Sequence, residues 1–177
     1  MTIYTGRGDE GKTDLRDMSR VAKNNPRIEA YGAVDEANAI VGTARPTGYD
    51  DLDEWLAATQ NHLHIVQADF ANPEPDEDAP QVTADHVSEL ETWIDAADAE
   101  LDSLESFVLP GGSDVGARLH HARSVTRRAE RRAVSLVQQQ EANGEAIRYL
   151  NRLSDALFTW ARLVNAREDV PATSPTY

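Results

Sequence analysis

Residues 4–13 read YTGRGDEGKT, and Gly6 to Thr13 fit the pattern G-x-x-x-x-G-K-[ST]. Gly6, Gly8 and Gly11 let backbone N–H groups turn toward one point, which is what a phosphate cradle needs. Thr5 and Thr13 add hydroxyls, and Arg7, Lys12 and Lys23 add positive charge. Asp9 and Glu10 oppose an anion unless a metal or an arginine partner is present, and a flexible tail is the plainer alternative. Farther along, Arg123, Arg127 and Arg131 fall at i, i+4 and i+8, with Arg128 and Arg132 in a second row. Like charges at that spacing repel by about 0.2–0.5 kcal/mol per pair. The stripe is therefore either a solvated face balanced by acids such as Glu130, or guanidinium groups gathered for an anion. Asp35, among apolar neighbours, is the natural partner for one of them. Asn151, four residues before Asp155, can bind a ligand or cap a buried polar network.

A Walker A loop lies between a buried parallel strand and the helix after it. Only Met1 to Tyr4 precede this loop, and DLRDMSRVAKNNP behind it has no amphipathic period. No apolar run ending in Asp offers a magnesium-holding strand, so a P-loop-like nucleotide hydrolase or kinase is the weaker reading. Five segments instead show helical spacing. RIEAYGAVDEANAIVG places Ile28, Tyr31, Val34, Ala37 and Val41 on one side. LDEWLAATQNHLHIVQADF does so with Leu52, Trp55, Leu56, Leu63, Val66 and Phe70. A third helix, capped by Thr83, carries Val87, Leu90, Ile94, Ala97, Leu101 and Leu104. The fourth, capped by Ser113, runs from Val115 to Glu141 and stops at Asn143-Gly144. The fifth buries Ile147, Leu150, Leu153, Leu157, Trp160, Ala161 and Val164. The expected fold is an all-α, up-down bundle of four or five helices, ferritin-like and left-handed, in a single domain. Residues 1–25 form the glycine-rich loop region, 26–167 the bundle and 168–177 a flexible tail.

The 177 residues suffice for one such core. With no cysteine, thiolate metal sites and cysteine nucleophiles are excluded. The N-terminus runs straight into glycines and charges, unlike a secretory leader, and no apolar run matches a membrane span. A cytoplasmic protein is expected. The net charge of −14 disfavours nucleic acid and anionic membranes as partners. Of seventeen basic residues only Lys12 and Lys23 are lysine, and this composition predicts a halophilic protein. In 1 M salt the Debye length shrinks to about 3 Å, so acidic self-repulsion is screened. Residues 118–177 nevertheless hold ten of the seventeen basic side chains and six of the thirty-one acids, so something anionic is to be met there.

In order along nearly the whole chain, the motifs resemble those of the PduO-type ATP:corrinoid adenosyltransferases. YTGRGDEGKT resembles the family's Y-T-x-x-G-D-x-G-x-T loop, and RIEAYGAVDEANAIVG its first-helix R-V-E-A-Y-G-x-V-D-E-L-N. FVLPGG, LHHARSVTRRAER and YLNRLSDALFTWAR resemble three further motifs in register. The resemblance implies a homotrimer with active sites between subunits, moving the 5′-deoxyadenosyl group of ATP onto cobalt of reduced cobalamin with release of triphosphate. It implies that Thr5, Gly6, Arg7, Gly8, Asp9, Gly11 and Thr13 wrap the triphosphate, helped by Lys23. By the same resemblance Arg127, Arg128, Glu130, Arg131 and Asn151 hold ATP and its Mg²⁺, with Glu130 nearest the ion. Asp35 and Arg123 would pair across the subunit boundary, and Phe107 would press on the lower corrin face and displace its axial ligand. A flavin-type reductase is an implied electron source. Gly6 stands where the family usually has Lys, removing one positive charge that Arg7, Lys12 or salt cations would replace. Ala37 and Ala39 replace the commoner Leu and Ser, a neutral change in packing.

Cobalt(I) is itself a strong nucleophile, so positioning and charge neutralisation are what the protein must supply. A non-catalytic helical-bundle interaction protein is the other alternative. A di-iron bundle needs Glu-x-x-His pairs, and no histidine here has a Glu three residues before it. His120 and His121 read as packing or capping residues, and His62, His64 and His86 show no metal-ligand pattern.

Overall fold

Asn25 accepts a hydrogen bond from the Arg27 N–H, and Pro26 occupies the first turn, where its missing N–H costs nothing. This starts α1 (Pro26–Thr43) in the computed structural model, which describes residues 3–177. Met1 and Thr2, counted above among the residues ahead of the loop, lie outside it. α2 (Asp50–Phe70) opens on Asp50, Asp51 and Asp53, which match the positive end of the helix dipole. α3 (Ala84–Asp98) begins after the expected cap Thr83, whose N–H donates to Nδ1 of His86 at 3.1 Å. Ser113 caps α4 (Asp114–Val137) by accepting from Gly116 N–H, and Asn143 caps α5 (Gly144–Arg167) by accepting from Glu145 N–H.

The expected all-helical, single-domain bundle is found. α4 packs against α1 on one side and α5 on the other, while α2 lies on α1 and α3 on α5. Ala122, Ala129 and Ala133 on α4 and Ala156 and Ala161 on α5 are fully buried, so the axes approach closely around Trp160, Tyr149 and Phe70. The only sheet among the described residues is a hairpin of β1 (Lys12–Asp14) and β2 (Arg20–Ala22), antiparallel with Thr13 opposite Val21. Its strands are too short to show alternation in the sequence. The glycine loop runs into β1 rather than a helix, which removes the setting of a Walker motif.

Three boundaries depart from expectation. Leu101 and Leu104 do not extend the α3 seam: the helix stops at Asp98, and Leu104 is half exposed. Asp98, Glu100 and Asp102 crowd the negative end of the helix dipole, which opposes further turns. α4 ends at Val137, short of Glu141, where Gln139 and Gln140 both donate back to the Leu136 carbonyl. Asn143-Gly144 is accordingly the start of α5 and not the stop of α4. On α1, Ile28 and Tyr31 are only half buried, and Arg27 and Ala30 take the core positions. The Arg27 guanidinium donates to the Phe70 carbonyl at 3.0 Å and to the Glu141 carbonyl, tying the end of α2 and the connection between α4 and α5 to the start of α1.

His62 on α2 stacks on Trp93 at 6.1 Å and meets His86 edge-on at 4.7 Å. Burial, and then the neighbouring His86, pushes its pKa from 6.5 down to about 4, despite Glu89 at 3.4 Å. Between those two values the unfolded chain binds a proton that the native chain refuses. Stability from this site is therefore present above pH 6.5 and falls as the pH drops toward 4. Urea unfolding at pH 7 and pH 4.5 should show a smaller acid loss in His62→Phe than in the parent; equal losses would place the effect elsewhere.

Candidate active site

Gly6 and Gly11 have φ of +70° and +73°, a region that side-chain-bearing residues rarely adopt. Asp9 N–H donates to Gly6 O and Gly11 N–H to Gly8 O, each at 3.2 Å, so the loop is a pair of consecutive turns. The hairpin folds back onto it: Lys23 N–H donates to Gly11 O at 2.9 Å, and its ammonium lies over Gly8. A Cβ at Gly8 would sit 3.1 Å from that nitrogen. Thr5 accepts from Arg7 N–H, and Thr13 is half buried on β1. Arg7 itself pairs with Asp14 at 2.9 Å, and Arg20 donates to the Arg7 carbonyl and to Asp14. Lys12 and Lys23, more than Arg7, are thus the cations this loop presents.

The two arginine rows of α4 have different partners. Arg128 pairs with Glu36, and Arg132 with Glu29 at 3.4 Å, both across to α1. With Lys23 and Gly32 these residues line a groove of about 340 Å³. The other row turns away from α1. Arg127 and Arg131 are exposed, and Arg131 donates to the Arg127 carbonyl at 3.0 Å. Arg123 is half buried over the Phe158 ring at 5.8 Å, its Nε covered and without a partner. Glu130 accepts from the Asn151 amide at 3.0 Å, joining α4 to α5 beside that row. Asp155 pairs with Arg152 instead. Asp35 is exposed on α1.

Phe107 stands on the loop before α4, 77% exposed. It lines a cavity of about 670 Å³ with Leu104, Ser106, Pro175 and Tyr177. The tail thus runs alongside this loop, where Leu109 N–H donates to the Thr173 carbonyl at 2.8 Å. The glycine loop lies toward the other end, for Lys23 shares its groove with Arg128 and Arg132. At 1.5 Å per residue Arg128 is about 21 Å along α4 from Asp114.

Sequence reasoning did not single out Glu29, Glu36 or Arg27. The seven-residue spacing of the two acids puts them on one face of α1, a usable sign that α1 faces a row of cations. His120 is buried against Phe158 at 6.0 Å, as a packing residue. Among the described residues no group of three or more His, Asp or Glu is placed to hold a metal ion, and no helix is long and apolar enough to cross a membrane.

A sequence profile described as cobalamin adenosyltransferase matches residues 3–164. The corrinoid adenosyltransferase of Mycobacterium tuberculosis (strain H37Rv) is 44% identical over 95% of this chain and 91% of its own length. That of Bacillus subtilis is 43% identical over 96% and 90%. Corrinoid adenosyltransferase PduO of Salmonella typhimurium is 40% identical over 92% of this chain but 49% of its own, so the chain spans about half of that protein. Among solved structures, a phenylalanine-to-alanine variant of the PduO-type ATP:corrinoid adenosyltransferase from Lactobacillus reuteri, complexed with cobalamin and ATP, superposes with a TM-score of 0.93. It is 34% identical, over 99% of this chain and 100% of that one. An arginine-to-lysine variant complexed with ATP gives a TM-score of 0.90 at 33% identity, over 98% and 100%. Profile, relatives and fold agree along nearly the whole length, and the chain belongs to the cobalamin adenosyltransferase family.

Proposed function

We propose that this chain is a corrinoid adenosyltransferase, a transferase that moves the 5′-deoxyadenosyl group of ATP to the cobalt of a reduced corrinoid and releases triphosphate. The observation that carries the reading is the outward face of α4, where Arg123, Arg127 and Arg131 lie beside the Glu130–Asn151 pair. In the reaction the cobalt(I) electron pair forms the bond to C5′. The C5′–O bond breaks, and that pair leaves on the triphosphate. No proton moves, so no general base is needed. The task left to the protein is to neutralise the departing charge and to align the reactants. Arg127, Arg128 and Arg131 perform the first, together with Lys23 and Arg7, while Thr5, Gly6, Gly8, Gly11 and Thr13 wrap the triphosphate with N–H and hydroxyl donors and Asp9, through its N–H to Gly6, shapes the turn that carries them. Asn151 orients the nucleotide. Glu130 is the carboxylate that would hold Mg²⁺, which would add positive charge against the triphosphate. Phe107 presents an apolar ring to the lower corrin face, and keeping ligands off that face eases reduction to cobalt(I) by a flavin-type reductase.

Cobalt must reach the carbon that carries the triphosphate, yet within one chain the start of α4, which the Phe107 loop leads into, is about 21 Å along the helix from Arg128 in the Lys23 groove. This separation supports sites shared between copies, in a homotrimer where Asp35 of one chain meets Arg123 of the next. Arg123, half buried and without a carboxylate partner among the described residues, is suited to such a contact. The acidic, lysine-poor surface supports a halophilic, cytoplasmic enzyme.

Anaerobic incubation with cob(I)alamin and MgATP, across a series of KCl concentrations, tests the reading. The expected outcome is a light-sensitive alkylcobalamin spectrum, with rate and melting temperature both rising with salt. An unchanged spectrum at every salt concentration would falsify the assignment, and greatest stability at low salt would remove the halophilic part alone.

A further inference from the structure

The loop between Asp102 and Ser113 has little packing of its own: Leu104, Phe107 and Leu109 are all exposed. At its start, Arg162 donates to the Asp102 carbonyl at 2.7 Å. At its far end one side chain holds it. Asn165, near the end of α5, accepts from Ser113 N–H through Oδ1 and donates to the Gly111 carbonyl through Nδ2, both at 3.0 Å. The carbonyl of the same residue accepts from Val170 N–H at 2.8 Å, which turns the tail back toward the loop. There Thr173 receives the Leu109 N–H, and the Ser106 and Ser174 hydroxyls meet at 2.8 Å.

Two glycines are shaped around this amide. A Cβ on Gly112 or on Gly116 would overlap the Asn165 side chain. Gly112 has φ of +109° and a second reason to be glycine, but Gly116 lies in the first turn of α4 with no positive φ. Alanine there would favour the helix over glycine. The absence of a side chain at Gly116 is therefore explained by Asn165 and not by the backbone.

We propose that Asn165 is a positioning residue for the corrinoid step, holding the Phe107 loop through both ends of its amide and through the tail that leaves from its carbonyl. The proposal rests on the reading of Phe107 as the corrin-facing residue. It makes the last turn of α5 and residues 170–174 part of the corrinoid half of the site, while leaving the nucleotide half alone.

The test is a cycle of Asn165→Ala, Gly116→Ala and the double variant, with KM measured separately for corrinoid and for ATP and amide hydrogen exchange followed at Leu109 and Ser113. Each single change should raise the corrinoid KM roughly tenfold, the effect of losing one or two hydrogen bonds of about 1 kcal/mol each. ATP KM should stay within about twofold in each. The double variant should be no worse than Asn165→Ala, because both changes remove the same interaction. Exchange at both amides should accelerate in all three. A corrinoid KM that stays put while exchange accelerates would overturn the proposal, as would an equal rise in ATP KM or multiplicative losses in the double variant. If the parent chain makes no alkylcobalamin, the catalytic reading fails and this proposal with it. If the parent is active and only the KM separation is missing, the catalytic reading stands and this proposal alone falls.

Discussion

Replacing Arg127 with alanine is expected to lower kcat/KM for ATP by about 10²–10³-fold, the usual effect of deleting one preorganised donor to developing negative charge. The melting temperature should barely move. Arg127 is exposed, and among the described residues its guanidinium makes no hydrogen bond or ion pair, its carbonyl alone accepting from Arg131, so the bundle does not depend on that side chain. Exposed substitutions of this kind stay within about 0.5 kcal/mol. Arg127→Lys should fall between the two, because it keeps the charge but loses the planar fork that meets two phosphate oxygens at once. Arg148 is the control: it is exposed on α5 and paired with Glu145 at 3.6 Å in an i,i+3 contact. Its alanine variant should retain full activity. Steady-state kinetics and thermal melts on the three variants check the set. If Arg148→Ala were as damaging as Arg127→Ala, the effect would be one of bulk charge on an acidic protein and not of a built site.

The helices were legible because caps and spacing act locally. Asn25-Pro26, Thr83 and Ser113 start helices through contacts within a few residues, and the apolar steps along α2 and α5 need no knowledge of their partners. What was illegible depended on distant parts. The end of α3 reads as a continued seam until the acids beyond Asp98 are set against the helix dipole. The hairpin is held by its packing on the bundle, through buried Leu15 and the Arg16 N–H bonded to Ala71 O.

The candidate site divides in the same way. Both arginine rows are visible from spacing alone, but which row is neutralised depends on how α1 is rotated against α4. Glu29 and Glu36 claim Arg132 and Arg128, and Arg127 and Arg131 are left facing outward. Asn165 escaped notice because one asparagine near a helix end has many uses, and its role appears only when Gly116 and Ser113 are folded against it. The choice of corrinoid and ATP as substrates came from the resemblance. Spacing alone asked for an anion and went no further.

Phe107→Ala should reduce kcat/KM for the corrinoid by about 10–100-fold, with its KM raised, and leave the KM for ATP close to its parent value. Burying a phenylalanine ring against an apolar surface is worth about 1.5–3 kcal/mol. At about 1.4 kcal/mol per factor of ten, that is the range expected if the contact is made with the corrin on the way to the transition state. The fold should not pay for the change, since the ring is 77% exposed and belongs to no part of the core. Its exposure is itself part of the argument, because an aromatic ring placed toward solvent beside a cavity of about 670 Å³ stabilises nothing until something apolar covers it. The decisive reading is spectroscopic. With MgATP and cob(II)alamin present, the parent should convert a fraction of the corrinoid to a form without its lower axial ligand, and Phe107→Ala should lose that fraction. Phe107→Leu should recover part of it, because a smaller apolar group still excludes water from the lower face. Loss of ATP affinity with the spectrum intact would move Phe107 to the nucleotide side and leave the lower corrin face without a partner in this chain.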